Sequence, residues 1–193
     1  MKRVPIFATL LVALAVATMI ALGVWQISRG YWKDQLIHQY TTAQKLPPIS
    51  FPTAPYKGEL PLFRWATGFC VKPAAHRAIA GRNRQGETGY VHIVQCSTGA
   101  EGPGMAVEIG WSEDPNAKYE WAGGPVSGMI APDRQQRIRL VAASAPPGLQ
   151  PSAPPSIESI PNNHRSYAFQ WFAFALVALV IYFLALRKRF RPE

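Results

Sequence analysis

Cysteine is nearly absent from this sequence: Cys70 and Cys96 are its only two. They form no Cys-x-x-Cys pair, which excludes dithiol exchange and copper delivery through such a motif. In an oxidising compartment they could form a disulfide, and two inert buried thiols fit the sequence equally well. Histidine is scarce too, with only His38, His76, His92 and His164. No H-E-x-x-H, G-x-S-x-G or phosphate-cradling glycine loop is present, so no hydrolase, zinc protease or nucleotide site is indicated. Acidic residues number 11 against 20 basic ones, giving a formal charge of +9. This charge is not a nucleic-acid signature. The terminal tails (Lys2, Arg3, Arg187, Lys188, Arg189 and Arg191 against Glu193) carry +5 of it, and the mildly basic middle carries the remaining +4. A basic middle of this kind suits the acidic headgroups of a lipid bilayer.

Long apolar runs, by contrast, are present at both ends. Val4 to Val24 is interrupted only by the uncharged Thr9 and Thr18, and Tyr167 to Leu186 has Gln170 as its one strongly polar member. Runs of this length span a bilayer as helices, the one form in which a single segment satisfies its own backbone in lipid. Trp25, Tyr31, Trp32, Tyr167, Trp171 and Tyr182 include the aromatic anchors expected at the interfaces. The basic tails place both termini in the cytoplasm and the middle on the other side of a bacterial inner membrane. A cleaved signal peptide is the competing reading of the first run, since Ala21-Leu22-Gly23 has the small-x-small form.

Between the runs, Ser28 to Ala43 has Trp32, Leu36, Ile37 and Tyr40 at helical spacing, and Pro47 and Pro48 end it. Six short β-like pieces follow: Phe63–Val71, His76–Ala80, Tyr90–Cys96, Met105–Trp111, Val126–Ile130 and Ile138–Ala142. The first and third could pair and bring the cysteines together. Pro146 to Pro161 is too rich in proline for a helix or central strand and reads as an extended tether. The expected fold is therefore two transmembrane helices flanking a mainly-β, barrel-like extracytoplasmic domain, its sheet antiparallel, with an N-terminal helical extension. Its divisions are 1–27 for the tail and first span, 28–145 for the outer domain, 146–163 for the tether, 164–186 for the second span and 187–193 for the basic tail.

Three of the histidines read blandly. His38 lies beside Gln39 on a helix surface, His76 has Lys72 and Arg77 near it, and His92 alternates with Val91 and Ile93 as a half-buried strand residue. No nucleophile–base ordering can be built from them, so the chain is not read as an enzyme. His164 is different. It opens the second apolar run, with Asn162 or Asn163 as helix cap, and on a helix shares a face with Tyr167, Ala168 and Trp171 while Arg165 stands beside it. Trp25, Gln26 and Arg29 cluster at the matching end of the first run. An imidazole, flat aromatic surface and a cation are what a membrane-embedded haem requires, and the same residues also suit a plain interfacial girdle.

These boundary residues carry a resemblance. Leu22-Gly23-Val24-Trp25-Gln26-Ile27-Ser28-Arg29 with Trp32-Lys33, and Pro161-Asn162-Asn163-His164-Arg165-Ser166-Tyr167-Ala168-Phe169-Gln170-Trp171-Phe172, resemble the two signatures of the surfeit-locus-one family. In the middle, Gly86, Gly89-Tyr90-Val91 and Gly128 also look like family glycines, while Glu108-Ile109 stand where the family carries Asn-Arg before Gly110-Trp111. The resemblance implies an assembly factor for cytochrome c oxidase. Such a factor assists haem a insertion into subunit I, with haem a synthase as a further partner. It implies His164 as haem-iron ligand, Trp25, Tyr167 and Trp171 along the macrocycle, and Arg29 or Arg165 at the propionates. The alternative is a membrane scaffold that stabilises an oxidase subunit or another envelope partner and holds no haem.

Overall fold

The computed structural model describes residues 5–52, 58–99, 104–159 and 161–190. The charges Lys2, Arg3, Arg191 and Glu193, and Val4 at the start of the first apolar run, lie outside them. The chain falls into two units: one made of its two ends, up to Ile37 and from Ile160, and one made of His38–Ser159.

The first unit is a pair of helices. α1 runs unbroken over Ile6–Ala43, so the first apolar run and the expected helical extension are one element of 38 residues. Nothing between them breaks the helix, because Gly23 and Gly30 each cost it only about 1 kcal/mol relative to alanine. At about 1.5 Å per residue α1 is about 57 Å long, nearly twice a hydrocarbon core of about 30 Å. α2 covers His164–Phe190, past the expected end at Leu186, with Arg187, Lys188 and Arg189 in its last turn. Cations there meet the partial negative charge of the helix C-terminus. Asn163 accepts the first helical bond, from the Tyr167 N–H at 3.2 Å, as a residue at the cap position does. Both helices are long and apolar enough to cross a membrane.

The second unit is built on one sheet of seven strands: β1 (Ile49–Ser50), β2 (Trp65–Cys70), β3 (Lys72–Arg82), β4 (Thr88–Ser97), β5 (Met105–Ser112), β6 (Gly124–Asp133) and β7 (Arg137–Ala142). All six expected strands are present, and with the short β1, which was not expected, they stand in the order β1-β2-β6-β7-β5-β4-β3. Three expectations are corrected. The sheet is mixed, since β1 with β2 and β5 with β7 run parallel. It is also not closed into a barrel, because β1 and β3 are its edges and no ladder joins them. β2 and β4 do not pair either, as three strands stand between them.

The register shows how the core is made. Val94 faces Val107, Val107 faces Leu140 and Leu140 faces Ile130, so one row of apolar side chains crosses four strands. This row lies at the centre of the buried core, with Phe51, Met105, Ile109 and Ile138 around it. Side chains alternate in direction along a strand, so the neighbouring row (Ile93, Glu108, Val141, Met129) points to the other face. In β6, Gly128 is required by close approach: a Cβ there would overlap the Val141 carbonyl of β7.

Cys70 and Cys96 are joined in a disulfide with Cα atoms 5.2 Å apart. In a flat sheet β2 and β4 would lie about 19 Å apart, four spacings of about 4.8 Å. The sheet is therefore strongly curled at this end. β2 and β3 are separated only by Val71, whose N–H donates to the Ser97 carbonyl at 2.9 Å. One run of chain thus leaves β6 and joins β4 at a corner held by the disulfide.

Part of the proline-rich segment lies on the sheet, and Ile157–Ser159 form a 3-10 turn further on. Trp111 and Gln150 exchange two backbone bonds of 2.7 and 2.9 Å, and the Ala153 N–H donates to Arg82 at 2.8 Å. Leu149 packs on the core.

Candidate functional site

Small residues set the helix pair. On α1 the buried positions are Val16, Gly23 and Gly30, and on α2 they are Ala168 and Ala175. Both sets repeat at seven residues, the spacing of a left-handed helix seam. Glycine and alanine allow close approach there, as in lipid, where packing rather than water exclusion drives association. A Cβ on Gly23 would stand 2.7 Å from the Phe172 ring, and one on Gly30 would stand 3.4 Å from the His164 Cβ. The helices run antiparallel: Gly30 meets His164, Gly23 meets Phe172, and Thr9 bonds to the Tyr182 hydroxyl near the other end.

His164 is half-buried at the end of this seam, and its Nδ1 lies 2.7 Å from the Gln26 amide oxygen. Around it, Asp34 of α1 accepts from Asn162 Nδ2 at 2.7 Å and from Arg165 at 2.9 Å. The structure therefore brings His164, Gln26, Asp34 and Arg165 together. Arg29 instead stacks on Trp32, its guanidinium carbon 4.1 Å from the ring centroid. Trp171 meets Phe174 edge to face, while Trp25 and Tyr167 are about half exposed. The donor set suits a haem iron through one imidazole with a bonded second nitrogen. Gln26 was marked in the sequence only as a member of the Trp25–Arg29 cluster, and Asp34 is the partner that the sequence did not single out, because a lone carboxylate beyond an apolar run has no motif to mark it.

The sheet unit holds two polar clusters. His92, on β4, is fully buried. Ser112 donates to the Asp114 carbonyl at 2.6 Å, so its oxygen accepts from His92 Nε2 at 2.6 Å. That leaves His92 Nδ1 to accept from Nε2 of the exposed His76, at 3.0 Å. Burial holds the His92 imidazole below the ordinary histidine range; His76 adds to this and Asp114 opposes it. The two rings are nearly coplanar, tilted by 12°, with centroids 5.2 Å apart. An ion bridging two facing imidazole nitrogens at about 2.1 Å each needs a gap of about 4 Å, so this gap fits a proton. Tyr119 leans on both rings at 5.6 Å. Among the described residues no three His, Cys, Asp or Glu side chains group as a metal site.

The second cluster crosses the opposite face. Glu108, buried on β5, takes Arg139 Nε at 2.7 Å, and Asp133 pairs with Arg77. Arg139 also approaches Asp133 at 3.7 Å. Burial raises the Asp133 carboxyl, but the Gln136 and Gln135 N–H groups and Arg77 outweigh it and hold it below the usual range. The acid at position 108 thus gathers its cation from the neighbouring strand. It faces away from His92, so these two side chains do not meet. A cavity of about 200 Å³ lies elsewhere, lined by Ile109, Trp121, Val126 and Pro146.

No match is found among curated proteins. Comparison with protein families matches residues 13–176 to the SURF1 family. That stretch takes in most of α1, the whole sheet and the first half of α2. The chain belongs to the SURF1 family, a family associated with cytochrome c oxidase assembly.

Proposed function

We propose that this SURF1-family chain assists haem a insertion into cytochrome c oxidase subunit I, holding the haem in transit at His164. Both helices cross the inner membrane, their termini are cytoplasmic, and the sheet domain faces the periplasm. The observation that carries the reading is the His164–Gln26 contact at the end of two apolar helices. It presents a fixed imidazole at the level where aromatic residues also gather. Trp25, Tyr167 and Trp171 offer flat apolar surface there, and Arg165, at the exposed rim, offers charge to a propionate. His164 holds the cargo iron through one nitrogen, and because Trp25 and Tyr167 are open rather than enclosing, release to subunit I needs no unfolding. Haem a synthase is the donor on this reading.

A second reading rests on the engagement of the cations. Arg165 already has Asp34, and Arg29 already has Trp32. A scaffold that grips an oxidase subunit and holds no haem would use these groups to pin the helix ends. Purification from cells that make haem a separates the two. The haem reading expects a low-spin haem a spectrum that His164→Ala depletes several-fold. Equal haem content in the two proteins would sink the ligand assignment and favour the scaffold.

A further inference from the structure

We infer that Gln26 is a positioning residue that locks His164 in the Nδ1–H tautomer and leaves Nε2 as the open donor. The amide oxygen of Gln26 is a carbonyl and only accepts, so the proton in the 2.7 Å contact belongs to His164 Nδ1. A neutral ring then carries its lone pair on Nε2, which has no bonding partner among the described residues. Asp34 does not compete for the ring, since Oδ1 receives Asn162 and Oδ2 receives Arg165.

The fold makes this contact durable. Gln26 lies between Gly23 and Gly30, three residues after one and four before the other, so it belongs to the same seam of α1. A Cβ on Gly30 would stand in contact with the His164 Cβ, at 3.4 Å, so the two backbones run close enough here to bring the ring within reach of the residue one turn earlier. Packing alone would be served as well by leucine. A half-buried amide between two apolar helices is unfavourable unless bonded, and here its oxygen is bonded. Imidazoles that ligate metals are held in this way, their second nitrogen donating to a fixed oxygen. The role of Nε2 toward iron rests on the proposed haem reading; the tautomer does not.

The test uses the full chain in detergent micelles with ¹⁵N-labelled histidine, the His164 signal being assigned by its loss in His164→Ala. Wild-type protein is expected to show His164 as the Nδ1–H tautomer. Gln26→Leu, which keeps an apolar seam, should move it to the Nε2–H form or to a mixture. Gln26→Glu, which restores an acceptor, should return it to Nδ1–H. An Nε2–H signal in the wild type, or no change in Gln26→Leu, overturns the inference. Haem a titration of the same proteins gives the second readout, with Gln26→Leu weakening affinity by about 10- to 100-fold and Gln26→Glu recovering it. Should none of the proteins bind haem while the tautomers behave as stated, the haem reading fails and the positioning of His164 by Gln26 stands. Haem affinity unchanged in Gln26→Leu would instead show that the contact does not serve iron, and overturn that half.

Discussion

At the scale of single residues, His92 is the side chain whose chemistry most constrains the sheet. It is neutral in the folded protein because its Nδ1 must accept from His76, and burial disfavours its charged form. The groups that face it are His76 from β3, Ser112 from β5, and Asp114 and Tyr119 from the segment after β5. With the folded value below the unfolded value of about 6.5, the unfolded chain takes up the proton first. Stability from this site is present above about pH 6.5 and is lost as pH falls toward the lowered folded value. Urea unfolding at pH 7.5 and pH 5 should therefore show a larger loss for wild type than for His92→Gln, whatever the variant's own starting stability. Equal losses would remove His92 as the source. Asp133 works in a separate window, since its lowered value costs stability only as pH falls below the ordinary carboxylate range around 3.8.

The elements show what pattern reading can and cannot reach. The six strands were legible because alternation and Gly-Pro punctuation are local properties, and His164 was legible because a polar residue opening an apolar run stands out. The seam of α1 and α2 was not. Nearly every position of the apolar runs is hydrophobic, so the seven-residue spacing of Gly23 and Gly30 against Ala168 and Ala175 has little polar face to contrast with. Neighbour order in the sheet was equally hidden, since the parallel β5–β7 pairing joins strands distant in sequence. The seam makes a direct prediction. Gly23→Leu must push against the Phe172 ring and part the helices, whereas Ala21→Leu points outward and should not. Pulsed-EPR distances between labels on the two helices should lengthen and broaden in the first variant alone. Unchanged distances would show that the small residues do not set the packing.

For the whole molecule, the disulfide holds together parts of the sheet that hydrogen bonds leave unclosed. It spans 26 residues and ties the end of β2 to the end of β4, while β1 and β3 remain edges. Loss of a native disulfide in a small domain costs about 2–5 kcal/mol. Cys96→Ser should lower the unfolding free energy of the sheet domain by an amount in that range, and its denaturation midpoint with it, while leaving α1 and α2 helical by circular dichroism. An unaltered midpoint would mean that the curl is held by the core row alone. The sequence left a disulfide and two buried thiols equally open, because the strands that carry the cysteines are not neighbours in the sheet and only its curl brings them together.

That same bond acts as a compass. Thiols on the cytosolic face of a membrane are kept reduced, and those beyond it are oxidised. A sheet that closes its corner through sulfur therefore records in its covalent structure the side on which it matured. Two free thiols in freshly made protein would place it on one face and two unreactive ones on the other, a reading of orientation that needs no count of arginines.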